Sequence, residues 1–323
     1  MNGLNMKLNL VVLAGGKGER LWPLSTSDQP KQFFKFFEKS SLFQNTLQRN
    51  KSLFDQIFVL SHEKFFFTLL DQLGELGFSS KLFLEPLNKG TLPSLILALL
   101  GMDSDDAFFM TPSDLKIGPE EIYRQFILDM VQLNVDQDIY LLGKKPKEPS
   151  SAFGYIQHEN GKVQKFIEKP NLDHAQKLLE KGDVLWNCGM IFAKVSTFLK
   201  LVQQVDPDYL KQCQKIFSHL KVHQQFDDLF RFDIEAYGQL DSKTIDYGLL
   251  EKANNLQVLN AKFDWQDLGS FNSIIEIKSQ GQKLVLFNSS NIRAQGNSKE
   301  IIVQNLSDIA IIEKEERIFI LKR

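Results

Sequence analysis

Short, mostly apolar runs alternate with amphipathic stretches of helical length through the first 143 residues. This alternation constrains the fold more than any other feature of the chain. Strand signals cover Leu8–Ala14, Ile57–Ser61, Lys81–Glu85, Ala107–Thr111 and Ile139–Gly143. Helices are predicted between them over Ser41–Phe54, Glu63–Gly77, Thr91–Met102 and Pro119–Asn134, the last opened by Pro119-Glu120-Glu121. Proline suits a first helical turn, and acids there favour the positive end of the helix dipole. Strands that are apolar on both faces, separated by helices, imply a parallel sheet covered on both sides.

After Gly143 the texture changes. Phe153–Gln157 and Lys162–Phe166 flank Glu159-Asn160-Gly161, and Asn-Gly is a strong hairpin signal. A helix over Asp173–Lys181, a strand over Met190–Ala193 and helices over Val195–Gln204 and Asp206–Leu220 follow. From about Gln282 the chain becomes β-rich, with Leu284–Asn288, Ile301–Gln304, Ile309–Glu313 and Ile318–Leu321. The expected organisation is a domain over 1–280 and a small carboxy-terminal β unit over 281–323, resembling partial β-helix turns. The β tail is also the candidate homodimer contact.

Composition excludes several classes. Thirty-eight basic and 40 acidic residues give a net charge of −2, so neither nucleic acid nor an anionic membrane is an expected partner. No apolar run is long enough to span a bilayer, and Leu8–Ala14, broken by Asn9, is too short for a signal-peptide core. Cys188 and Cys213 cannot make a disulfide framework and fit a reducing, cytoplasmic setting. Most of the 27 phenylalanines belong to the core, and Phe33-Phe34 with Phe36-Phe37 are expected to pack a loop down.

The first strand runs straight into Gly15-Gly16-Lys17-Gly18-Glu19-Arg20-Leu21-Trp22-Pro23-Leu24, and Pro30-Lys31-Gln32 follows. Glycines let backbone amides turn toward a bound anion. Arg20 and Lys31 add two positive charges, and Lys31 is held by the preceding proline. The loop lacks the Gly-Lys-Ser/Thr of a P-loop and the G-x-G-x-x-G of a dinucleotide site. The combination suits a triphosphate. Asp114, just past a strand's carboxyl end, and Asp267, before Leu268-Gly269-Ser270, are candidate Mg²⁺ ligands, because magnesium takes hard oxygen donors.

These segments together resemble the sugar-nucleotide pyrophosphorylases. The resemblance rests on the amino loop with Pro30-Lys31-Gln32-Phe33, Glu85-Pro86, Lys89-Gly90-Thr91-Leu92-Pro93-Ser94, Pro112-Ser113-Asp114 and Phe153-Gly154-Tyr155-Ile156. It continues through Phe166-Ile167-Glu168-Lys169-Pro170, Trp186-Asn187-Cys188-Gly189-Met190, Ile245-Asp246-Tyr247 and Trp265-Gln266-Asp267-Leu268-Gly269-Ser270. The blocks are collinear from residue 8 to about 275, and Leu21-Trp22-Pro23-Leu24-Ser25 is similar to the guanylyltransferase branch acting on mannose 1-phosphate.

The resemblance implies an α/β, Rossmann-like (GT-A-like) nucleotidyltransferase with a mixed, mainly parallel sheet. It implies Mg²⁺-assisted synthesis of GDP-mannose and pyrophosphate from GTP and mannose 1-phosphate, in the service of polysaccharide formation. Arg20 and Lys31 would be catalytic. Leu13, Ala14, Gly15, Gly16, Gly18, Glu85, Thr91 and Pro93 would bind the nucleotide. Gly154, Glu168, Lys169, Asn187, Gly189 and Asp246 would bind the sugar, and Asp114 and Asp267 the metal. Some larger relatives carry an appended isomerase domain; ending at Arg323, this chain is expected to act as a transferase only.

The chain departs from the family pattern at three places. Lys89-Gly90-Thr91-Leu92-Pro93-Ser94 stands where Arg-Asn-Thr-Ala-Pro-Ala is common, Leu115 replaces a histidine, and Ala152-Phe153 replace Gly-Tyr. These bear on base and hexose choice. Alternatives are therefore the same chemistry with another base or hexose 1-phosphate, or a non-catalytic sugar-nucleotide-binding regulator. His219 and His223, four apart, could share a helix face as a zinc pair would, but no third ligand accompanies them. The three tryptophans are expected to pack rather than to bind.

Overall fold

The computed structural model describes residues 6–16, 25–26, 28–35, 39–223, 226–268, 284–287, 290–295, 301–304, 306–314 and 317–322. The chain divides into two compact units. The first comprises Met1–Gly15, Thr46–Ser113 and Ile117–Trp265; the second comprises Gly16–Asn45, Asp114–Lys116 and Gln266–Arg323.

Apolar residues on both faces bury β1 (Leu8–Leu13), with Leu10, Val11 and Val12 fully inaccessible. α1 (Leu42–Asn50), β2 (Gln56–His62), α2 (Phe66–Leu76) and β3 (Lys81–Glu85) follow. α2 stops at Gly77, whose φ of 63° is the left-handed geometry that suits glycine after a helix. α3 (Thr91–Leu100) is a central helix, buried from Leu92 through Leu99. Burying each of its leucine and isoleucine side chains contributes about 1.5–3 kcal/mol. The chain continues through β4 (Ala107–Pro112), β5 (Leu115–Gly118), α4 (Glu120–Met130) and β6 (Ile139–Lys144).

The hairpin of β7 (Tyr155–Glu159) and β8 (Lys162–Ile167) turns at Asn160 and Gly161, both at positive φ, as the Asn-Gly signal requires. α5 (Leu172–Lys181) leads to β9 (Val184–Lys194), which is far longer than the predicted Met190–Ala193. Polar Asn187 and Gly189 mask its first half in the sequence. α6 (Val195–Val205) and α7 (Pro207–Ser218) come next, α7 capped by the Asp206 side chain. Then follow β10 (Lys221–His223), β11 (Phe226–Arg231), α8 (Ile234–Gly238), α9 (Ile245–Gly248), β12 (Leu256–Asn260) and β13 (Asp264–Asp267). Our sequence reading assigns no strand or helix over β10 to β13 or the two short helices. His219 and His223 do not share a helix face: His219 caps the end of α7, and His223 lies in β10.

Among the described residues the first unit forms an 11-stranded sheet in the order β10-β11-β3-β2-β1-β4-β9-β6-β12-β8-β7. The block β3-β2-β1-β4 is parallel, and β9 inserts antiparallel between β4 and β6. The sheet is therefore mixed; β11 also runs parallel to β3, and β12 parallel to β6. α3 packs on β2 and β3 and against α6 and α7.

In the second unit β14 (Leu284–Phe287) pairs in parallel with β16 (Ile301–Gln304). β15 (Ser290–Gln295) pairs in parallel with β17 (Ser307–Lys314), which is flanked on its other edge by antiparallel β18 (Arg317–Lys322). Both parallel pairs are offset by 17 residues, Leu284 to Ile301 and Ser290 to Ser307, the regular advance of successive coils. Phe33 packs edge-on against Phe43 in this unit, with centroids 5.5 Å apart. Phe36 and Phe37 lie outside the described residues.

Candidate functional site

The carboxyl ends of parallel strands are where ligands gather in open α/β sheets. In the first unit β1 ends at Leu13, and two serines secure its exit. The Ser113 hydroxyl and amide both donate to the Leu13 carbonyl, at 2.8 and 3.0 Å. The Ser61 hydroxyl donates to the Ala14 carbonyl at 2.9 Å. With these carbonyls satisfied, the strand end is fixed. A Cβ added at Gly15 would meet nothing closer than 3.9 Å. Gly18 and Arg20 lie outside the described residues.

Glu85 ends β3, two strands from β1, so about 10 Å separates the two backbones. It is 8% exposed. Burial pushes its carboxyl pKa up to about 8, opposed by a hydrogen bond from the Tyr237 hydroxyl at 3.0 Å. Thr91 opens α3, and its hydroxyl oxygen accepts from the Ile245 amide at 3.0 Å; Pro93 is buried in the first turn.

The departures from the family pattern in this block all meet one neighbouring segment. Lys89 Nζ donates to the Gly238 carbonyl at 2.8 Å. Gly90, at φ 88°, leaves room for the Lys243 carbonyl oxygen, which a Cβ there would meet at 2.4 Å. Ser94 Oγ donates to the Gly90 carbonyl at 3.1 Å and lies beside the Tyr237 hydroxyl.

A second cluster of the first unit surrounds the start of β9. Asn187 Nδ2 donates to Asp246 Oδ1 at 3.2 Å, and Asn187 Oδ1 accepts from the Gly189 amide at 3.0 Å. The Asn187 amide donates to the Gly154 carbonyl at 2.8 Å. A Cβ at Gly154 would lie 2.6 Å from Glu168 Oε2, so a side chain there would displace that carboxylate. The Glu168 side chain is 6% exposed and pairs with Lys169 Nζ at 2.6 Å. Gly189 sits at φ 70° against the Pro112 ring. Burial, then the neighbouring Glu168 charge, raises the Asp246 pKa to about 6. The six residues expected on the sugar side therefore stand together, offering fixed donors and acceptors to a polyol. Trp186 and Trp265 both pack on Phe153. Cys188 is buried, which raises its thiol pKa far from reactive values.

The second unit holds the charged centre. β5 pairs with β13, which sets Asp114, just before β5, beside Asp267 at the end of β13. Lys31 bridges them, with Nζ 2.8 Å from Asp114 and 3.0 Å from Asp267. Pro30 caps the 3-10 turn Lys31–Phe33 that presents the lysine. Burial opposes the ammonium charge, but the two carboxylates outweigh it and hold the pKa above its usual value. Gln32 Nε2 donates to the Gly16 carbonyl at 3.0 Å, tying the glycine loop to the same turn.

Two part-exposed carboxylates converging on one cation are the hard oxygen donors that magnesium accepts when phosphates and water complete its shell. No group of three or more His, Cys, Asp or Glu is placed for a metal among the described residues, so a protein-only cage is not what this donor set offers. Sequence reasoning named Gln32 and Ser113 only as members of their motifs and passed over the roles of Ser61 and Tyr237. The serines left a faint trace, as polar residues closing apolar runs at the carboxyl ends of parallel strands.

An α/β sheet with polar groups gathered at its parallel strand ends is the architecture of many nucleotide-binding proteins. The profile of the family described as Nucleotidyl transferase matches residues 9–283, and the chain belongs to that family. It is 29% identical over 334 residues to a mannose-1-phosphate guanylyltransferase of Sinorhizobium fredii, a match covering 97% of this chain and 65% of that protein. It is 27% identical to the alginate biosynthesis protein AlgA of Pseudomonas aeruginosa, covering 96% of this chain and 68% of the relative. The chain thus spans about two thirds of these relatives' length. Among solved structures, one titled mannose-6-phosphate isomerase from Helicobacter pylori matches with TM-score 0.74 at 28% identity, over 81% of this chain and all of the other. A Thermus thermophilus structure titled mannose-1-phosphate geranyltransferase matches with TM-score 0.82 at 24% identity, over 98% and 95% of the two chains, and shows the fold. Among the described residues, no helix is long and apolar enough to cross a membrane.

Proposed function

We propose that this protein is a mannose-1-phosphate guanylyltransferase, joining GTP and mannose 1-phosphate to give GDP-mannose and pyrophosphate. A phosphate oxygen of the sugar attacks the α-phosphorus, and the bond to the bridging oxygen of pyrophosphate breaks in line. No protein nucleophile is needed; alignment and charge neutralisation supply the catalysis. Lys31, Arg20 and the amides of Gly15, Gly16 and Gly18 neutralise the phosphates. Leu13 and Ala14 shape the floor of the nucleotide, with Glu85, Thr91 and Pro93 beside base and ribose. Gly154, Glu168, Lys169, Asn187, Gly189 and Asp246 orient the hexose. Asp114 and Asp267 would hold Mg²⁺, which when bound neutralises charge on the triphosphate.

The observation that carries this reading is the convergence of Asp114 and Asp267, 153 positions apart in the chain, on Lys31. A structural salt bridge has no need of two acids on a mostly buried lysine that follows a nucleotide-loop motif. The names of the relatives support mannose and guanine within this chemistry. The two buried cysteines fit cytoplasmic biosynthesis.

The test is pyrophosphate release across four nucleoside triphosphates and mannose, glucose and galactose 1-phosphates, with and without Mg²⁺. The highest kcat/KM should belong to GTP with mannose 1-phosphate. A better partner pair would replace the substrate assignment, and tight nucleotide binding without turnover would make the protein a sensor. Conversion of mannose 6-phosphate in the same preparation, without nucleotide, would favour the isomerase activity for which the Helicobacter pylori structure is named. Arg20→Ala should lower turnover by orders of magnitude in a folded protein.

A further inference from the structure

We infer that Tyr237 is a positioning residue for base selection, holding the Glu85 carboxyl in the rotation that accepts from a guanine edge. This rests on the proposed reading, in which Glu85 lies beside the nucleobase.

Burial favours the protonated form of the free Glu85 carboxyl, but its ionised form, taken up when it pairs with a donor edge, offers only acceptors, about four lone-pair positions on two oxygens. Of the four common bases, guanine alone presents two adjacent donors, N1–H and the N2 amino group, on its pairing edge. A fixed carboxylate at the base end of a nucleotide site is therefore a guanine reader, provided its plane cannot turn. Glu85 stands at the end of its strand, where only burial and its partners limit that rotation. The Tyr237 hydroxyl takes one of the four positions, donating to Oε1 at 3.0 Å. The remaining positions are left for the base.

Tyr237 is built to be immobile. It is fully buried in α8, whose amino end is capped by Asp233 donated to by Glu235 and Ala236. Its ring packs on Phe232 at 5.7 Å, and the Ser94 side chain reaches its hydroxyl from α3. Lys89 ties the end of the same short helix, through the Gly238 carbonyl, to the segment that follows Glu85. A tyrosine with a purely apolar task would not need its hydroxyl pinned from α3 and spent on a carboxylate. Phenylalanine would fill the same space.

Tyr237→Phe removes one hydroxyl and no volume. Losing a hydrogen bond to a charged group should raise KM for GTP about tenfold. Because the phosphates and sugar are untouched, kcat and the KM for mannose 1-phosphate should stay within twofold. Inosine triphosphate keeps N1–H but lacks the N2 amino group. The preference for GTP over this analogue should shrink by a similar factor in Tyr237→Phe, and disappear in Glu85→Gln. Thermal melts of both variants establish that they are folded. If Glu85→Gln leaves GTP affinity and the preference intact, Glu85 does not touch the base, and that assignment falls with the inference. If Glu85→Gln removes the preference and Tyr237→Phe changes neither KM nor preference, the positioning role alone is refuted. A fall in kcat and in both KM values together, with a lowered melting temperature, would make Tyr237 a packing residue and also overturn it.

Discussion

Replacing Lys31 by methionine should make the nucleotide-free enzyme bind Mg²⁺ more tightly while impairing turnover. The lysine occupies the carboxylates that the metal would use, with contacts of 2.8 and 3.0 Å. Unit charges about 4 Å apart attract by about 4 kcal/mol at an effective dielectric of 20 and by about 1 kcal/mol in bulk water. Both acids are 29% exposed, so each pair is discounted toward the lower figure. Two pairs then amount to about 2 kcal/mol that an arriving cation must offset. At 1.36 kcal/mol per tenfold, its removal should tighten metal affinity roughly thirtyfold. Isothermal titration of Mg²⁺ into the nucleotide-free protein reads this directly, with Asp114→Asn and Asp267→Asn as controls that should abolish the gain. The methionine covers the same stem volume, and a melting curve confirms the fold. Unchanged or weaker metal binding in folded Lys31→Met would show that the acids are not the metal's seat.

Three further outcomes are expected. Gly90→Ala should destabilise the protein by about 3 kcal/mol, from positive φ and a Cβ 2.4 Å from the Lys243 carbonyl oxygen; an unmoved urea midpoint would contradict that packing. Gly154→Ala pushes against the mobile end of Glu168 rather than backbone. It should therefore fold normally but raise KM for the sugar phosphate about tenfold or more, leaving KM for GTP alone. Asp246 has a folded pKa near 6 against an ordinary 3.8, raised chiefly by burial. Its ionisation therefore weakens the fold as pH rises from about 4 through 6. Asp246→Asn should be more stable than wild type by up to roughly 3 kcal/mol above pH 6, with the gap closing toward pH 4; a gap constant across that window would argue against a buried charge.

The parallel strands were legible because burial on both faces leaves an unbroken apolar run, as in Phe108-Phe109-Met110. α3 was legible as a helix because its apolar stretch is too long for a strand. β5 was hidden: Leu115-Lys116-Ile117 alternates buried and exposed, but four residues are too short a run to stand out. β9 was half seen, since only its pairing with β4 is purely apolar. The site divides in the same way. Lys31 announces itself through Pro30 and the glycine loop. Its meeting with Asp114 and Asp267 depends on pairing between β5 and β13, which no local pattern encodes. Tyr237 and Glu85 lie 152 positions apart, and nothing in either neighbourhood points to the other.

β9 serves two masters along one length. Val184, Leu185 and Trp186 pair with β7, whereas Ile191 through Lys194 pair with β4. Within each regular half side chains alternate faces, and between the halves β9 bulges against β6 around Gly189. Deleting a single residue near Cys188 would leave one end seated and invert every side chain of the other. This stretch should thus behave as a ruler of fixed length: point changes are absorbed, and length changes are not.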